Sequence, residues 1–98
     1  MHEIIEHIAR KYDLDDLDKF GLISYLVPRF LLELQQFREN PQECEGGFEL
    51  INLVMLTDRY FFIRVYHDLD KNVTNLKVDH EIDEEEFDRL VEFWQGVG

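Results

Sequence analysis

A chain of 98 residues, 45% of them apolar, has the material for one domain with a core of its own and is not a disordered acidic tail. Its 22 acidic against 10 basic residues leave a formal net charge of -12, which excludes the electrostatic footprint of a protein that grips DNA, RNA or an anionic membrane. A single cysteine, Cys44, cannot close an internal disulfide, and no basic segment followed by an apolar run marks a signal peptide, so the expected setting is cytoplasmic.

In chain order, Met1–Tyr12 reads as an amphipathic helix, with Ile4, Ile5, Ile8 and Tyr12 on one stripe. Asp13–Asp18 supplies helix caps, with Leu14 and Leu17 available to the core. From Phe20 to Phe37 the chain is apolar on most sides, with a narrow polar strip of Arg29, Glu33 and Gln36, which predicts a mostly buried helix. Pro28 removes one backbone bond from its interior, so a kink or two consecutive helices is expected, the second opening at Pro28. Asn40-Pro41 ends the helical region and Pro41–Gly47 reads as a loop.

The next third alternates with the period of strands. Leu50–Thr57 is rich in β-branched and aliphatic residues, and Thr57-Asp58-Arg59 forms a tight connection. In Tyr60–His67, Phe61, Ile63 and Val65 point one way and Tyr60, Phe62, Arg64 and Tyr66 the other. Val73–Ile82 alternates again, with Leu76, Val78, His80 and Ile82 on one side. With a turn over Asp68–Val73, Val65 faces Leu76 and Ile63 faces Val78, or a two-residue slip applies that keeps the same inner face. Asp83 and Glu86 then form a capping arrangement for a last helix whose apolar stripe is Phe87, Leu90, Val91 and Trp94. The fold class is α+β, a single domain over residues 1–98 in the order α-α-β-β-β-α, built around a three-stranded antiparallel meander.

Few residues carry a chemical signature. Asp68-Leu69-Asp70-Lys71-Asn72 places oxygen ligands at alternate positions like the start of a calcium loop, but Val73 stands where glycine is required and Asp79 where a bidentate Glu belongs. A solvated turn is the better reading. His67 and His80 fall on one face of the proposed hairpin, too far apart for a zinc spacing, and surrounding acid should raise their pKa. Cys44 lies between Glu43 and Glu45, which disfavours a thiolate, and the only serine, Ser24, sits inside the apolar helix. No phosphate cradle or nucleophile elbow accompanies them. The reading is a non-enzyme with no catalytic residues, cofactor or metal.

Two surfaces remain. Between Asp79 and Glu92 eight acids stand against Arg89 alone, and Glu84, Asp88 and Glu92 recur every fourth residue, flanked by Glu81 and Glu85. Like charges at this spacing repel, so a basic partner that neutralises them is the functional reading. The second surface is the outer sheet face, where Tyr60, Phe62 and Tyr66 adjoin Ile51, Leu53 or Met55 and need a cover. In size and charge the chain resembles small acidic inhibitors of bacteria and their viruses: immunity proteins, anti-restriction and anti-CRISPR proteins, and DNA mimics. That resemblance covers no residue specifically. It implies an inhibitor or immunity-type module binding a basic protein (a toxin, a nuclease or another nucleic-acid-handling protein) through Glu81, Glu84, Glu85, Asp88 and Glu92. The alternatives are an assembly protein that homodimerises on Tyr60, Phe62 and Tyr66, and a small metal- or ligand-binding regulator.

Overall fold

In the computed structural model, residues 1–40 and 46–97 are described. Helix α1 (His2–Lys11) buries Ile4, Ile5, Ile8 and Ala9, and Lys11 and Arg10 suit the negative end of its dipole. Helix α2 (Asp16–Glu39) opens at Asp15, whose side chain accepts the Asp18 N–H at 2.8 Å. It runs uninterrupted for 24 residues with Pro28 inside it, so no second helix starts there. Pro28 is exposed, and water can serve the Ser24 carbonyl that lost its donor, while Leu22, Leu26 and Phe30 hold both halves of the helix on the same core. The helix ends at Asn40, directly before proline.

Strands β1 (Gly47–Leu56), β2 (Arg59–Asp68) and β3 (Val73–Ile82) form an antiparallel sheet in the order β1-β2-β3. The β1–β2 turn is tight because Thr57 takes a left-handed conformation, φ 53°. The inner face carries Phe48, Leu50, Asn52, Val54 and Leu56 from β1, and Phe61, Ile63, Val65 and His67 from β2. α1 and α2 cover it. Helix α3 (Glu84–Val97) crosses the other face, so the order is α-α-β-β-β-α and the fold is α+β.

Two expectations about side-chain direction are corrected here. In β3, Val65 faces Leu76 but Arg64 faces Val78, which leaves Lys77 as an extra residue and makes a bulge. Beyond it the alternation inverts. Leu76 stays on the inner face, whereas Val78, His80 and Ile82 turn to the outer face opposite Arg64, Phe62 and Tyr60. Asp79 and Glu81 therefore reach the inner side, where the cations of α1 and β2 meet them: Lys11 Nζ lies 3.0 Å from Asp79 Oδ2, and Arg59 Nε lies 2.8 Å from Glu81 Oε2.

The second correction concerns α2, which is far from mostly buried. Only Leu22, Leu26 and Phe30 are fully enclosed, while Leu17, Phe20, Tyr25, Leu31 and Leu32 face outward. A helix apolar on all sides can meet the sheet with one side only, and nothing in the described residues lies on the other. Leu14 packs against the core as expected; Leu17 does not. The expected loop over 41–47, with Cys44, falls mostly outside the described residues.

Candidate functional site

The acidic helix starts where its sequence says it should. Asp83 Oδ1 accepts the Glu86 N–H at 2.7 Å, and three glutamates occupy the first turn beside the positive end of the dipole. The stripe of Phe87, Leu90, Val91 and Trp94 seats α3 on the outer sheet face, with Phe87 4.8 Å from Tyr60 and Trp94 6.2 Å from Phe62, ring centre to ring centre. Every residue of that stripe stays half-exposed, so the helix lies on the sheet like a ridge rather than sinking into it. Glu84, Glu85, Asp88 and Glu92 point to solvent. Among the described residues their one counter-charge is Arg89, 3.9 Å from Glu85 and as open to solvent as its partner, a geometry worth little in water.

The structure separates Glu81 from those four. Arg59 grips it with two bonds, Nε to Oε2 at 2.8 Å and Nη2 to Oε1 at 3.0 Å, and donates a third, from Nη1, to the Tyr12 carbonyl at 2.9 Å. That guanidinium holds the Glu81 carboxyl below its usual range. The Tyr12 hydroxyl in turn donates to the Asp79 carbonyl at 2.8 Å, so the end of α1, the start of β2 and the end of β3 are tied together. Other acids are matched likewise: Glu6 with Lys19, and Glu49 with Arg64 at 3.2 Å. No local pattern announces the Arg59 network, because its members come from three separate segments.

The aromatic face is divided. α3 lies over Tyr60 and Phe62; burial pushes the Tyr60 phenol pKa up, and the carboxylates of Glu84, Asp88 and Asp58 add to that. Tyr66 lies farther along β2, opposite Asn75, under the Lys77 ammonium 5.7 Å from its ring. Beside α3 an open groove of about 540 Å³ runs over β1, with Ile51 and Leu53 as its floor and Tyr25, Arg29, Val91 and Trp94 on its banks.

His67 and His80 lie on opposite faces, contrary to expectation, because of the bulge at Lys77. His80 is exposed. His67 is buried, 5.3 Å from the Phe30 ring and 5.5 Å from Phe48, with Nδ1 2.8 Å from the Thr74 hydroxyl. Burial lowers its pKa and the charge of Arg38 adds to the effect, the reverse of what the surrounding acid suggests. In the expected solvated turn after β2, Asp68 Oδ1 accepts the N–H groups of Asp70 and Lys71 at 2.9 and 3.0 Å, so its carboxylate closes the turn. No three His, Cys, Asp or Glu side chains converge to hold a metal ion among the described residues, and no helix there is long and apolar enough to cross a membrane. No protein-family model, curated protein or solved structure matches the chain.

Proposed function

We propose that this chain is a non-enzymatic protein-interaction module, of the inhibitor or immunity type, that takes a basic surface of another protein onto α3. The observation that carries this reading is the contrast between the matched and unmatched acids. Asp79, Glu81, Glu6 and Glu49 are each paired with a cation of the fold, whereas Glu84, Glu85, Asp88 and Glu92 face solvent together on one helix with, among the described residues, only Arg89 as a counter-charge. Each like-charged pair four residues apart costs the helix a few tenths of a kcal/mol. A cationic partner removes that cost on binding. The partner's chemistry is Lys- and Arg-rich, as on a toxin, a nuclease or another nucleic-acid-handling protein.

Steering by such a face acts mainly on the association rate. With a partner captured from the native cell and purified, the association rate constant should fall by about tenfold or more between 0.05 and 0.5 M salt, with little change in dissociation. Reversing Glu84, Asp88 and Glu92 to Lys together should abolish binding and leave the circular-dichroism spectrum unchanged. Full affinity in that variant removes this reading.

A further inference from the structure

We infer that a second copy of this chain packs antiparallel on the outward face of α2. Leu17, Phe20, Ser24, Val27, Leu31 and Leu34 follow one another at alternating intervals of three and four, the repeat of a helix–helix seam. Leu17, Phe20 and Leu31 are 72%, 67% and 55% exposed. Val27 and Leu34 lean on the core with one side and leave the other free. The row is about 25 Å long at the rise of an α-helix and contains no charged residue.

The row can accept a second copy of itself, and the charge of the chain favours that occupant. Turned end for end about a dyad between Tyr25 and Leu26, the row falls on itself: Leu17 meets Leu34, Phe20 meets Leu31, and the small Ser24 meets Val27 of the second copy. A two-fold interface requires a patch complementary to itself in this way. The same antiparallel arrangement opposes the two helix dipoles. On a chain of net charge -12, an uncharged face is also where a second copy approaches without setting carboxylate against carboxylate. A basic partner finds no counter-charge there, so this seam and the acidic side of α3 serve different associations.

A seam of six residues falls well short of the roughly 20–30 residues a side of a standard interface, which points to a reversible dimer. Because the two copies repel at long range, screening should tighten the dimer, whereas it weakens an acid–base complex. Sedimentation equilibrium on the full chain tests both statements. The wild type should dimerise more tightly at about 0.5 M than at 0.05 M salt. Phe20→Glu and Leu31→Glu, both at exposed positions, should each weaken the dimer by at least about 30-fold, while Phe93→Glu, at a 63% exposed apolar site on α3, should change it by less than about threefold. Ser24→Leu, which fills the layer opposite Val27, should tighten it, and so gives a reading even where a glutamate variant fails to fold. A wild type that stays monomeric at 0.5 mM, a dimer that survives folded Phe20→Glu, or one that Phe93→Glu disrupts overturns the inference.

Discussion

Replacing Asn52 with leucine should stabilise this protein. Asn52 is fully buried on the inner face of β1 between Leu50 and Val54, opposite Ile63. Its Nδ2 donates to the Ile63 carbonyl over a long 3.3 Å, and its Oδ1 has no hydrogen-bond partner among the described residues. A buried acceptor left unpaired costs about 1–3 kcal/mol, whereas the one bond made contributes a net 0.5–1.5 kcal/mol or so. Leucine has the same branched skeleton of four side-chain heavy atoms and adds apolar burial, but its two methyls are bulkier than the amide oxygen and NH2, so overpacking uses up most of the gain from that burial. The balance favours Asn52→Leu by about 1–2 kcal/mol, or roughly 5–10 °C in Tm for a domain of this size. Asn52→Asp is the opposite control: it puts a carboxylate in the core with no cation beside it and should cost about 3 kcal/mol or more. Urea unfolding of the three proteins, with equal m-values, measures both differences. If Asn52→Leu is less stable than the wild type by more than about 1 kcal/mol, the Asn52 amide is satisfied in solution and the reasoning fails.

His67 ties stability to pH. Its folded pKa is lowered by burial, so as pH falls through about 6.5 the unfolded chain takes up a proton that the fold refuses. Stability is therefore complete above about pH 7 and declines as pH falls toward the folded pKa; in His67→Phe, urea midpoints between pH 7 and 5 should become nearly flat, and an unchanged slope would place the effect elsewhere. Gly47→Ala should destabilise by about 1–3 kcal/mol, because a Cβ there would lie 2.6 Å from Tyr66 Cζ and closer still to the Tyr66 hydroxyl and the His67 carbonyl. The ring can turn away but the backbone carbonyl cannot; an unaltered urea midpoint would show that the β1–β2 pairing opens at Gly47 at no cost.

Much of the architecture was legible because its causes are local. The stripe of Ile4, Ile5 and Ile8, the cap at Asp15, the alternation of Phe61, Ile63 and Val65, and the Asp83 cap of α3 each depend on neighbours within a few residues. The candidate site was legible to the same extent. The spacing of Glu84, Asp88 and Glu92 follows from one helix and its apolar stripe, so their exposure could be read in advance. The engagement of Glu81 could not, because Arg59 is 22 residues away and meets it only through the pairing of β2 with β3.

By itself, then, the sequence determined the order of the elements, the inner face of β2 and the excess of acid near the C-terminus, since helical and strand periods are properties of short segments. Tertiary structure alone decided which way β3 faces and which side of α2 is wet. A strict alternation in Val73–Ile82 would have sent Asp79 and Glu81 away from Lys11 and Arg59; the extra residue Lys77 turns them back, at the cost of moving Val78, His80 and Ile82 to the other face. In α2 the pattern of apolar residues carries no preference, because most sides qualify for burial. The sheet and α1 can cover only the side bearing Leu22, Leu26 and Phe30, and so Leu17, Phe20 and Leu31 are left facing water.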